Sequence, residues 1–283
     1  MKTNNMQGAI IVNKAPNMTS RDVINILNKK FNTKSIGHIG TLDPIAEGVL
    51  VCLIGKYTKL TDILINHDKE YIASFKLGIL TDTLDITGKI LKEEKVNLTK
   101  EEIQKTILSF KGTYNQEVPI YSAVKINGKK LYEYARNNEE ITLPKREVNI
   151  YDIELLNIDN ECLTIKTKVS KGTYIRSLIR DIGLKLNTNA TMTKLIRTKL
   201  DKFTIEESYT LEDIQNDNYK ILSLEDLIDL DTININEEML FKIKNGQIID
   251  YQTNKYILYK YNNQNIALYK PYQNNKIKPF IMF

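Results

Sequence analysis

The chain has 283 residues, 42% of them hydrophobic and 27% charged; it is long enough to bury a sizeable core in one or two domains and ordinary in composition for a globular protein. No apolar run approaches the ~18–20 residues of a membrane span, and the opening MKTNNMQGAIIVNK is too weakly apolar for a signal peptide, so the expected location is the cytoplasm. The net charge of +5 is unevenly spread, with nine basic residues against one acid from Lys166 to Leu200, two against ten from Asp201 to Asp231, and seven lysines against one aspartate from Phe241 to Phe283. Two basic blocks suit an extended polyanion, RNA or DNA, as partner; solvated charged faces are the alternative.

Taken in chain order, GAIIVNK reads as a short strand. TSRDVINILNKKF reads as a helix capped by Thr19 or Ser20, with Val23, Leu27 and Phe31 on one face. GVLVCLIG is expected as a buried strand, KYTKLTDILI as a helix, and KEYIASFKLG, which alternates, as a half-buried strand. TDTLDITG is a turn on its aspartates and final Gly88. TKEEIQKTILSFKG is a helix with a Thr99–Glu102 capping box and Gly112 as its stop. KKLYEYARNN is a short helix, REVNIYDIELLNI and ECLTIKTKVS are paired strands, and GTYIRSLIRDIGLKLN is helical after its first residues. The fold class is therefore α+β, a mixed, mainly antiparallel sheet flanked by helices. After Asp231 short β-rich runs separated by Asn, Gln and Gly suggest a small all-β unit, so the expected division is 1–231 and 232–283. Cys52 and Cys162 both lie in apolar runs and are expected as buried, reduced thiols.

The remaining signals exclude several chemistries. His38, Cys52, His67 and Cys162 are scattered, without a CxxC or HExxH, so no transition-metal site is expected. There is no P-loop or GxGxxG, hence no nucleotide cofactor is implied, and no GxSxG elbow. Paired-carboxylate hydrolysis stays open on composition alone. What stands out is SIGHIGTLDPIAEGVLVCLIG, where Asp43 precedes Pro44, which biases it towards extended backbone. Gly37 and Gly40 permit close approach, and His38 offers a ring that can stack on a base. On these residues alone Asp43 is as compatible with a pre-proline turn as with a reacting group.

GHIGTLDPIAEGVL resembles the catalytic motif of the TruB family of tRNA pseudouridine synthases. NKAPNMTSRDV, KEYIASFKLG, TDTLDITG, VPIYSAVKINGKKLYEYAR and SKGTYIRSLIRDIG resemble further blocks of that family, in its order and at similar spacing, from about Gly8 to Leu200. The last segment is similar in kind to the family's small PUA-type RNA-binding domain. One departure lies in KAPNM, where the proline moves by one and Asn17 stands where glycine is usual; Asn tolerates the left-handed conformation.

The resemblance implies that uridine-55 in the T loop of tRNA is isomerised to pseudouridine, with no cofactor and no metal. It assigns Asp43 as nucleophile, and a carboxylate with a reference pKa near ~3.9 needs no base to activate it. It pairs Arg176 with that carboxylate, stacks Tyr71 on the target base, lines the uracil pocket with Leu195, and brings His38 to the T-loop bases. It places Lys14 near the active site and makes Tyr174 a further substrate-binding residue. Residues 119–146 correspond to an RNA-gripping insert that interleaves Lys125, Lys129, Lys130 and Arg136 with Tyr121, Tyr132 and Tyr134. The expected partner is the T-arm stem-loop, with no membrane, no obligatory protein partner and a monomeric enzyme. The alternatives are a non-catalytic tRNA chaperone and a guide-RNA-dependent synthase.

Overall fold

The continuous apolar run of Glu47–Ile54 and the alternating run of Lys69–Leu77 end up in one sheet. A computed structural model describes residues 6–65 and 67–283; the signal-peptide reading falls partly on residues 1–5, outside that range. We label the elements that carry the site β1 (Gly8–Lys14), α1 (Ser20–Lys30), β2 (Ile36–Ile39), β3 (Glu47–Ile54), β4 (Lys69–Leu77), α2 (Lys100–Leu108), β5 (Gly112–Glu117), β6 (Lys145–Asp159), β7 (Cys162–Val169), α3 (Ile175–Lys185) and β8 (Ala190–Leu200). Among the described residues the main sheet runs β1-β3-β8-β4-β7-β6-β5, with β2 and Phe203–Thr204 on side branches. Its pairs are antiparallel except β3 with β8, where Ile196 lies beside Glu47 and Arg197 beside Gly48. The mixed, mainly antiparallel sheet expected from the hairpin pattern is thus present.

Why β3 lacks alternation follows from what covers it. Leu50, Cys52 and Ile54 face one core with Val23, Ile24 and Leu27 of α1, while Val49, Val51 and Leu53 face a second with Leu258, Leu268 and Ile281. Both faces are buried, so period two leaves no polar positions. Each such side chain contributes about 1.5–3 kcal/mol of burial, which ties the C-terminal sheet to the main body. That sheet has the order Leu230–Asn234, Tyr256–Tyr261, Gln264–Tyr272, Lys276–Met282, Ile249–Asp250.

Local signals set most element ends. Thr19, and not Ser20, caps α1 through a capping box with Asp22, and Thr99 caps α2 through Glu102. Asn17 has φ 63, so asparagine does adopt the left-handed turn usually given to glycine. Four expectations change. KYTKLTDILI forms a 3-10 segment, Gly55–Leu60, and one α turn, Thr61–Leu64. The hydroxyl of Thr58 donates to the Gly55 carbonyl and that of Thr61 to the Thr58 carbonyl, contacts three residues back that favour the tighter winding. Helix α2 ends at Ser109; Gly112, at φ 114, instead opens β5. The C-terminal unit is not all β, because Glu237–Lys244 is a helix capped by Asn236, acidic in its first turn and basic in its last, with Ile243 buried on the sheet. Cys52 is buried and burial pushes its thiol up, but Cys162 is exposed, since the β7 alternation turns it to solvent.

Candidate active site

Asp43 sits in the loop between β2 and β3, and three separate anchors hold that loop. Its own carbonyl accepts from Ala46 N at 3.0 Å. On one side Ser20 Oγ, at the start of α1, accepts from Leu42 N at 3.0 Å and donates to the Leu42 carbonyl at 3.3 Å. On the other the buried Lys14 donates to the carbonyls of Ala15, Met18 and Pro44 at 2.8, 2.6 and 3.2 Å. Burial pushes the Lys14 amine down to about 8, against the pull of Asp43 and Glu47. The third anchor is Arg197 on β8, which donates to Val49 O at 2.7 Å and Gly40 O at 2.8 Å. Close pairing of β3 with β8 needs Gly48: at φ +103, a Cβ there would lie 2.3 Å from the Arg197 carbonyl oxygen.

The Asp43 carboxylate meets Arg176, the second residue of α3, in a two-point contact: Nε to Oδ2 at 2.9 Å and Nη2 to Oδ1 at 3.1 Å. The Arg176 side chain is 6% exposed and that of Asp43 35%, so the arginine is a buried support and the carboxylate remains open to a reactant. The guanidinium also donates to the carbonyls of Thr83 and Tyr121, at 3.0 and 3.1 Å. Such a fork fixes orientation as well as charge.

A second carboxylate lies behind it. Asp85 Oδ2 is 3.8 Å from Arg176 Nη1, while Asp85 Oδ1 accepts from Thr83 Oγ1, Thr87 N and Thr87 Oγ1. Expected only as a turn residue, Asp85 is 5% exposed. Its turn is clasped to β8, since Met192 N donates to Leu84 O and Ile86 N to Met192 O, with Leu84 held at φ 63. TDTLDITG is therefore a turn, and it also supports Arg176 from behind through the Thr83 carbonyl and Asp85.

Above the Asp43–Arg176 contact opens a cavity of about 780 Å³ lined by Asp43, Tyr71, Tyr174 and Arg176, together with Lys69, Tyr121, Tyr132, Arg146, Lys171 and Arg197. The expected residues thus divide. Asp43, Tyr71, Tyr174 and Arg176 share the cavity. Leu195 pairs with Ala73 and belongs to the main core, Lys14 lies under the loop, and His38 sits on β2 with Nε2 3.1 Å from Thr41 Oγ1; none of these three is a lining residue. Burial, aided by Arg21 and Arg197, pushes the His38 imidazole below its ordinary value. Tyr174 starts α3, its N donating to Gln116 Oε1 at 2.8 Å and its carbonyl accepting from Gln116 Nε2 at 3.1 Å. In the insert Lys129 lies 4.5 Å from the Tyr134 ring centre, and Lys130 and Arg136 lie 5.4 and 5.3 Å from that of Tyr132. Lys69 and Arg197 escape the sequence reading. Lys69 shares a strand face with Tyr71 by period two, and burial, with Arg197 nearby, lowers its amine to about 8. Arg197 is among the largest fully buried side chains, a position that no composition rule favours.

A fixed carboxylate and guanidinium, aromatic rings and several cationic side chains thus share one cavity. The family model of the TruB pseudouridylate synthase N-terminal domain matches residues 28–175, and that of the tRNA pseudouridylate synthase B C-terminal domain residues 176–233. A tRNA pseudouridine synthase B of Caldanaerobacter subterraneus subsp. tengcongensis is 42% identical over 267 residues, 93% of this chain and 94% of the relative. Another from Clostridium tetani is 46% identical over 245 residues, 85% of each chain. A solved structure, an H/ACA RNP bound to a substrate RNA containing 2′-deoxyuridine, aligns with a TM-score of 0.68 at 23% identity, covering 97% of this chain and 83% of its own, a likeness of fold. The chain belongs to the TruB family of pseudouridylate synthases. It is accordingly an isomerase, a pseudouridine synthase.

Proposed function

We propose that the protein converts uridine-55 in the T loop of tRNA to pseudouridine, with Asp43 as nucleophile. The observation that carries the assignment is the Asp43 carboxylate, part-exposed at the cavity floor and gripped at both oxygens by the buried Arg176. In the reaction the N1–C1′ bond breaks, the uracil turns, the C5–C1′ bond forms, C5 loses its hydrogen and N1 gains one. The exchange is internal, so electrons and atoms balance without a co-reactant. An immobile carboxylate against one face of the nucleotide is what such a rearrangement requires. Tyr71 stacks on the extruded base, whose unstacking costs on the order of a few kcal/mol. The cations of the rim and of residues 119–146 offset that cost through phosphate contacts. His38 meets the T-loop bases beside the cavity, Leu195 backs the pocket from the core, Lys14 holds the nucleophile's loop and Tyr174 contacts the substrate. Residues 232–283 act as a PUA-like RNA-binding unit. The enzyme works as a cytoplasmic monomer without an obligatory protein partner. Incubation of the purified protein with an unmodified T-arm stem-loop, followed by mapping of pseudouridine, tests this. One modification at the position of uridine-55 is expected; conversion only with added guide RNA, or binding without conversion, overturns it.

A further inference from the structure

Helix α3 carries Arg176 in its first turn, yet no local side chain holds that turn. Its N-cap is Tyr174, which makes no side-chain cap, and no acidic residue follows in the first turn. The Thr173 hydroxyl points back and donates to the Ser170 carbonyl at 3.0 Å. Helices α1 and α2, by contrast, start with capping boxes, and an unheld helix start frays. The hold comes instead from β5. Gln116 is 1% exposed. Its Oε1 accepts from Tyr174 N at 2.8 Å, and its Nε2 donates to the Tyr174 carbonyl at 3.1 Å and to the Tyr114 hydroxyl oxygen at 2.6 Å. From a neighbouring strand Gln116 thus reaches the N-cap N–H, which in a capping box is the task of the third helical residue. That residue, Ser177, donates to the Glu117 carbonyl at 2.8 Å instead. Both amide hydrogens and the amide oxygen of Gln116 are used, so neither a carboxylate nor an apolar side chain reproduces the set.

We infer that Gln116 is a positioning residue for the reaction, pinning the start of α3 so that the Arg176 fork stays on both Asp43 oxygens. This rests on the proposal that Asp43 is the nucleophile. Gln116 is not among the residues lining the cavity, so it acts through Arg176 and not on the RNA. The far end of that arginine is tied separately, to the Thr83 and Tyr121 carbonyls. If the first turn of α3 shifts while those ties hold, the contacts to Asp43 at 2.9 and 3.1 Å cannot both be kept. A reacting group displaced in this way loses rate and not binding.

The test measures single-turnover release of C5 tritium from T-arm RNA by wild type, Gln116→Met, Arg176→Lys and the double variant. Gln116→Met is expected to slow release about 10-fold, and no further than Arg176→Lys does, with T-arm affinity within about twofold of wild type. In the Arg176→Lys background the same change is expected to cost less than about threefold, because the fork it supports is already gone. A residue that only stabilised the fold would slow both backgrounds equally. Gln116→Glu keeps the size and the acceptor but loses the donors; it is expected to be slow in the same pattern and carries the test if the methionine variant does not fold. A wild-type rate, an equal loss in the Arg176→Lys background, a loss confined to affinity, or failure of both variants to fold overturns the inference. Asp43→Asn is run beside them. If it is inactive while Gln116→Met is normal, the role of Gln116 alone is refuted; if it is active, the nucleophile reading fails and the inference falls with it.

Discussion

Replacing Arg176 with lysine keeps a positive charge and removes the planar fork. In the wild type the guanidinium makes two contacts to Asp43 and one each to the Thr83 and Tyr121 carbonyls. One ammonium at the end of a flexible stem cannot reproduce both carboxylate contacts in one plane. Loss of one hydrogen bond to a charged group is about 1.5–3 kcal/mol, which as lost transition-state stabilisation is about 10- to 150-fold in rate. A carbonyl left without its donor adds a stability cost of about 1–3 kcal/mol, visible as a lower melting temperature. Because the partner is a carboxylate and not a phosphate, T-arm affinity is expected to change less than about threefold. Release of label from RNA tritiated at uridine C5 gives the rate and filter binding gives the affinity. An equal loss of affinity and rate, or a shallower salt dependence of binding, refutes the reasoning and puts Arg176 on the RNA backbone.

Asp43→Asn keeps size and most hydrogen bonding but removes the charge, so the variant is expected to bind the T arm and release no C5 tritium; wild-type release sinks the nucleophile assignment. Deleting residues 232–283 uncovers Val49, Val51 and Leu53, and at about 1.5–3 kcal/mol each the cost is about 5–9 kcal/mol, so insolubility or a collapsed melting transition is expected; a truncated chain that melts like the full one contradicts the shared core. RNA binding by that unit is better probed with Lys270→Gln and Lys278→Gln, where removing each lysine–phosphate pairing should flatten the plot of log affinity against log salt by about 0.7–0.9; an unchanged slope excludes both lysines. The Lys14 amine is lowered to about 8 from an unfolded value of 10.5, so between those values the unfolded chain binds more protons and Lys14 makes stability rise with pH. Lys14→Met should therefore show a smaller stability gain from pH 8 to 10 than wild type in denaturant titrations, and an identical gain refutes this.

Local chemistry made much of this protein legible from its residues. A cap at Thr19 or Ser20, the capping box at Thr99, the period-two run in KEYIASFKLG and the turn in TDTLDITG depend on neighbours a few positions apart, and the structure keeps them, with Thr19 as the cap. The framing of Asp43 between glycines and Pro44 marked the loop, and the order of the motif blocks pointed to Arg176 133 positions away, where the two side chains do meet. Other features depend on distant parts of the chain and left no local trace. Asp85 looks like any turn aspartate until β8 closes over its turn and Arg176 arrives from α3. Arg197 occupies an inward strand position because the Val49 carbonyl is presented by a parallel neighbour that only Gly48 lets approach, and the Gly40 carbonyl by the loop after β2. The helix at Glu237–Lys244 carried its cap and end charges in plain view, but its apolar face became meaningful only against Ile257 and Ile277 of the sheet it covers. Short-range hydrogen bonds and period are written along the chain; burial of charge is decided by which surfaces meet, and tertiary packing alone supplies those partners.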